Sequence, residues 1–266
     1  MSTQETKREK ENREYKELKD SIRQMSPEEA GKALLNEVRK SASTFSPIDC
    51  RLLIELGKAD LEVKDESRNT PLLRALKKGH TDMAEKIIES GADLTAIDKD
   101  GCTALHLAAL LGYPAILRTI LRIKDKRNVD IDAVNRYGQT PLIMAASGGN
   151  AMMTHLLLLQ KSNPEAQASD DGMTALMYAT KSGYIDTISN LLDLGASTET
   201  KNHAGQTALD IAQALPDWVD HKDKIIEMLE VARISFVTKA FQTAAGQGTK
   251  TKRKILRPQN NVKQRM

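Results

Sequence analysis

Apolar positions in this chain fall in pairs of short helical runs rather than in alternating strands. From Thr70 onward a Leu/Ala stripe at helical spacing is followed by a glycine. A second apolar run ending in a Leu/Ile pair comes next, then a polar stretch, and the pattern begins again. Thr70, Thr103, Thr140, Thr174 and Thr207 each open such a unit, at spacings of 33, 37, 34 and 33 residues. Self-similarity at this period marks a stack in which each unit buries its apolar face on its neighbours.

Each part of the unit has a physical role. The threonine can cap the first helix by accepting a backbone N–H, and the Pro or Ala after it suits the first helical position. Small residues near the helix middle (Ala75, Ala108, Ala145, Ala179 and Ala212) let neighbouring layers approach. Gly79, Gly112, Gly149 and Gly183 separate the two helices, where a left-handed backbone costs glycine little. The pairs Ile87-Ile88, Ile120-Leu121, Leu157-Leu158 and Leu191-Leu192 fill the core from the second helix. Gly91 and Gly195 then end that helix.

The unit TALHLAALLG at Thr103 resembles the ankyrin repeat, whose signature is T-P-L-H-x-A with a 33-residue period. The resemblance covers about residues 45 to 230. It implies an all-α ankyrin-repeat solenoid of stacked helix-turn-helix units with short hairpin-like turns, about six units with the caps. Three departures stand out. The signature histidine survives as His106, and Leu73, Ile143, Met177 and Asp210 take its place elsewhere. Arg68 occupies the turn-glycine place and Arg74 interrupts the apolar stripe, so the first regular unit should be weakened. IKDKRNVDIDAV lengthens the connection near Lys124 to Asp130, which is expected to bulge from one face.

Around the regular units at 65–215, residues 27–64 read as a degenerate capping repeat entered through Ser26-Pro27. Residues 216–246, with Trp218, Ile225, Ile226, Met228, Leu229, Ile234, Phe236 and Val237, read as a closing helix. The charged segment 1–26 places Tyr15, Leu18, Ile22 and Met25 at helical spacing. The expectation is a solvated helix, with a partner-binding seam as the alternative. Residues 247–266 read as a disordered tail.

Composition fits thin helical layers: 40% of the 266 residues are apolar and 3% aromatic. The net charge of +3 conceals an uneven distribution, because the last twenty residues hold seven Lys/Arg and no acid. The basic cluster of Lys250, Lys252, Arg253, Lys254 and Arg257 is a candidate import signal, nucleic-acid contact or anionic-membrane contact. Cys50 and Cys102 lie in separate units and make neither a disulfide framework nor a metal cluster. No apolar leader opens the chain and no stretch reaches about 18 apolar residues. The expected setting is therefore cytoplasmic, with the nucleus as the alternative, and the expected state is monomeric.

Catalytic chemistry finds no constellation: the five histidines are scattered and no nucleophile, phosphate-loop or metal motif is present. What remains is surface. The resemblance implies a concave face built from turn tips and first helices, the usual docking site of such stacks. The tips offer Glu66, Ser67 and Asn69, then Lys99, Asp100 and Cys102, then Arg136, Tyr137 and Gln139. Asp170, Asp171 and Met173 follow, then His203 and Gln206. The helix ends add Lys77, Lys78, Leu110, Leu111, Ser147, Lys181 and Ser182. Tyr137, Leu110, Leu111 and Met173 are the expected apolar centre within a charged rim. The function expected is a non-catalytic scaffold or adaptor for a protein partner, with no cofactor. The alternatives are a nuclear or nucleic-acid-associated regulator using the basic tail, or a secreted bacterial effector that binds a host protein.

Overall fold

The computed structural model describes residues 7–41, 43–56, 58–216, 219 and 221–234. Among them the chain is helical throughout, with no strand. The helices are α1 (Lys7–Gln24), α2 (Pro27–Val38), α3 (Pro47–Glu55), α4 (Pro71–Lys78), α5 (Thr81–Glu89), α6 (Ala104–Leu111) and α7 (Pro114–Ile123). Next come α8 (Pro141–Ser147), α9 (Ala151–Leu159), α10 (Ala175–Ser182), α11 (Ile185–Asp193) and α12 (Ala208–Gln213). A last helix, α13, covers 222–234.

The five threonines start the first helices as their chemistry requires. Each has an extended backbone, and its hydroxyl accepts the N–H three residues on: Leu73, His106, Ile143, Met177 and Asp210 respectively. Ser26 does the same for α2 and completes a capping box with Glu29, whose pKa its backbone N–H lowers. Gly79, Gly112 and Gly183 end α4, α6 and α10 with a left-handed backbone.

The helices stack in two rows. The inner row runs α2, α4, α6, α8, α10, α12, each packed on the next; the outer row includes α3, α5, α7, α9 and α11. The core lies between the rows. Ala75, Ala108, Ala145, Ala179 and Ala212 have no exposed surface, and neither do Ile87, Ile88, Ile120, Leu157 and Leu191. At one end α2 packs on both α3 and α4, and at the other Ile225 and Leu229 of α13 join the core.

Three expectations need correcting. α1 does not lie free in solvent: Ile22 is buried, Leu18 and Met25 pack on the core, and the helix rests on α3. Arg74 does not simply interrupt an apolar stripe, because its Nε donates to buried Asp65 at 3.0 Å. The long connection forms a 3-10 turn (Lys124–Lys126) and returns to the stack, with Arg127 Nη1 donating to the Ala92 carbonyl at 3.1 Å. Trp218, Phe236, Val237 and the segment 247–266 lie outside the described residues.

Candidate functional site

The turn tips are built from a recurring polar residue five places before the threonine. Asp65 Oδ1 accepts the N–H groups of Ser67 and Asn69, and Asp98 Oδ1 those of Asp100 and Cys102. Asn135 Oδ1 accepts from Tyr137 and Gln139, and Asn202 Oδ1 from Ala204 and Gln206. A side chain thus holds each turn closed, as Asp and Asn do when they mimic a backbone turn. The fourth tip carries one extra residue and has Ala168 in that place, with no side-chain acceptor to close the turn. There Asp171 accepts the Met173 N–H and the Tyr178 hydroxyl instead, at 2.9 and 3.0 Å.

Successive tips are joined by backbone bonds. Lys99 N–H donates to the Ser67 carbonyl (3.1 Å), Arg136 to Asp100 (3.0 Å), Ser169 to Tyr137 (2.8 Å) and His203 to Asp171 (2.9 Å). Gly101 makes one of these approaches feasible. Its φ is +78°, and a Cβ there would sit 2.9 Å from the Arg136 nitrogen. Five tips therefore form one continuous ribbon along the stack.

Beneath the ribbon lie two carboxylates whose pKa burial alone would raise. Burial pushes the Asp65 carboxyl up, but the Arg74 guanidinium and the Asn69 amides outweigh it and bring its pKa down to about 2. Arg39 adds a second cation at 3.6 Å. Burial likewise raises Asp98, and the Lys77 ammonium at 2.6 Å turns the net shift downward. His106 links two units. Its Nδ1 accepts the Thr103 N–H at 3.2 Å, so the proton resides on Nε2, which donates to the Gln139 carbonyl at 3.1 Å. Burial lowers its pKa.

The expected docking residues divide by exposure. Glu66, Lys78, Lys99, Leu111, Arg136, Tyr137, Asp170, Lys181, Ser182, His203 and Gln206 are exposed. Ser67, Lys77, Asp100, Leu110, Gln139, Ser147 and Asp171 are half-buried. Asn69, Cys102 and Met173 are buried, which corrects their reading as surface groups. All three immediately precede the capping threonine. Asn69 donates to Asp65, and Cys102 Sγ meets Asn135 Nδ2 of the following unit at 3.8 Å. Gln206 holds the same place on the last regular tip and stays exposed.

The expected apolar centre contracts for the same reason. Met173 is buried and Leu110 packs on the core, leaving Tyr137 and Leu111 at 42% and 41% exposure. Tyr137 stands on the ribbon with Arg136 over its ring, whereas Leu111 stands at the far end of a first helix, roughly 12 Å along the helix direction. Lys77 is committed to Asp98, and Arg136 pairs with Asp100 at 3.4 Å. Sequence reasoning missed the turn-closing role of Asp65, Asp98, Asn135 and Asn202. Their constant distance of five residues from the threonine carried the signal. The basic group at Lys250, Lys252, Arg253, Lys254 and Arg257 lies outside the described residues.

Among the described residues, no group of three or more His, Cys, Asp or Glu side chains could hold a metal ion, and no helix is long and apolar enough to cross a membrane.

A family model described as ankyrin repeats (three copies) matches residues 42–132, 122–202 and 156–229. The B-cell lymphoma 3 protein homolog of Mus musculus is 29% identical over 160 residues, covering 60% of this chain and 36% of the relative. The NF-kappa-B inhibitor zeta of Mus musculus is 30% identical over 156 residues, 57% of this chain and 20% of the relative. The putative palmitoyltransferase ZDHHC13 of Danio rerio is 30% identical over 166 residues, 62% of this chain and 24% of the relative. The chain therefore spans little more than a third of the first of these proteins and less of the others. The matched segments, the capped helix pairs and the linked tips agree: this chain belongs to the ankyrin-repeat family.

Proposed function

We propose that this protein is a non-catalytic scaffold or adaptor that holds a protein partner on the ribbon of tips and the adjoining ends of the first helices. Ankyrin repeats generally mediate protein–protein interaction, and the fold is typically non-catalytic. The observation that carries the reading is the set of tip-to-tip backbone bonds from Ser67 to His203. They order the surface before any partner arrives, so binding loses little conformational entropy. Glu66, Lys99, Tyr137, Asp170 and His203 then project from a fixed backbone, a charged row with one aromatic anchor. Tyrosine at such a place supplies contact area with few rotors to freeze.

The test uses the full chain to capture a partner, followed by titration with purified components. Tyr137→Ala combined with Leu111→Glu should weaken that partner by about tenfold or more, the effect of losing two contacts worth roughly 1 kcal/mol each. Both residues are exposed, so thermal stability should be unchanged. Unaltered affinity in the double variant would remove this surface from consideration.

A further inference from the structure

The outer helices differ in what they show to solvent. α7 and α9 present the residues 12, 15 and 19 places after the threonine of their unit, and α11 those at places 12 and 19. At these places α7 has Arg118 and Arg122, and α11 has Asp186 and Asp193. Between them, and packed on both, α9 has Met152 and Leu159, exposed at 56% and 55%, with His155 between the two. The outer surface at mid-stack is thus an apolar stripe with a basic helix along one edge and an acidic helix along the other.

We propose that this face pairs two copies of the chain about a two-fold axis parallel to α9. Such an axis lays α9 on α9 of the partner subunit, in parallel, and exchanges the edges, so that each α7 faces the other copy's α11. The register then follows from the repeat. Arg122, Leu159 and Asp193 each lie 19 residues after their threonines, at one level of the stack. Arg122 therefore meets Asp193 of the partner subunit on both sides of a Leu159–Leu159 contact. An axis across the helices would instead set α7 on α7 and α11 on α11, like charge against like. Charge thus selects one of the two symmetric pairings that apolar contact alone would permit.

Three helices about 13 Å long and about 10 Å apart offer roughly 400 Å² per partner, below the standard interface. The expected dimer is weak, with Kd on the order of 10–100 µM. It replaces the monomer expected from sequence, and it uses the outer helices rather than the tips of the proposed docking surface.

Sedimentation velocity of the full chain, over a concentration series spanning that range, should show a reversible monomer–dimer equilibrium. Leu159→Glu should raise Kd by about tenfold or more, and so should R122D alone or D193R alone, since each sets like charges together. Mixing the R122D and D193R chains should restore dimer to the wild-type level, because each pairs with the other at both edges. That recovery separates a broken interface from a damaged fold. A wild-type chain that stays monomeric throughout overturns the proposal. So does a dimer indifferent to these changes, which would use another surface, or a mixture that stays monomeric.

Discussion

His106 shows how one side chain can serve both its own helix and the next unit. It caps Thr103 through Nδ1 and reaches Gln139 through Nε2; the first bond needs the neutral ring, since a protonated Nδ1 cannot accept. Burial holds its pKa below the ordinary value of 6.5. The unfolded chain therefore takes up a proton that the folded chain resists. The contribution of His106 is complete above about pH 6.5 and declines as pH falls below that value. Chemical denaturation at about pH 7.5 and about pH 5.5 should show a loss of stability at the lower pH, and that loss should be smaller in His106→Gln. An equal pH dependence in the variant would assign the effect to other groups. The sequence marks His106 as a signature residue near the helix start, and the structure adds the bond across units.

At the scale of the tip, Arg68 is the exception that tests the rule. The other regular tips have Gly101, Gly138, Gly172 and Gly205 with φ between 69° and 78°, and Arg68 adopts φ of 60° in the matching place. A left-handed backbone costs a residue with a Cβ about 1–2 kcal/mol, offset in part by the greater freedom glycine has when unfolded. Arg68→Gly should therefore stabilise the protein by about 0.5–1 kcal/mol, read from the midpoint of urea unfolding. A destabilised variant would mean that the long side chain contributes packing that outweighs its backbone strain. The place of this element was legible from the threonine spacing and from the glycines around it. The burial of Asn69, Cys102 and Met173 was not: Asn69 turns back onto Asp65 and Cys102 meets Asn135 of the next unit, and a stretch of sequence read alone shows only a polar turn.

At the scale of the whole stack, the segments between each outer helix and the tip that follows it form a second series of links. Glu62 accepts the Asp93 N–H at 2.8 Å, Asp132 the Asn163 N–H at 3.0 Å and Glu165 the Ser197 N–H at 2.8 Å. Between the loops at Asp93 and Asp132 the link is Arg127 to the Ala92 carbonyl. The inserted residues thus supply the rung where the acid is missing. Units in such a stack support only their neighbours, so one lost rung is felt locally. Arg127→Ala should cost about 1 kcal/mol, with amide exchange rising first in residues 91–96 and 124–130. Uniform exchange along the chain would show that the rung does not matter.

The sequence by itself determined the period, the capped helix starts, the small residues between layers and hence the family. These depend on local propensity and on a pattern repeated often enough to be read without coordinates. Tertiary structure decided which tip residues reach solvent, what pairs with Arg74 and Lys77, and where α1 and the insertion come to rest. It also decided that Met152 and Leu159 of α9 lie bare between a basic and an acidic helix. Apart from the pairing of Arg74 with Asp65, nine residues away within one unit, those outcomes depend on groups from different units being brought side by side by stacking, which no single unit contains.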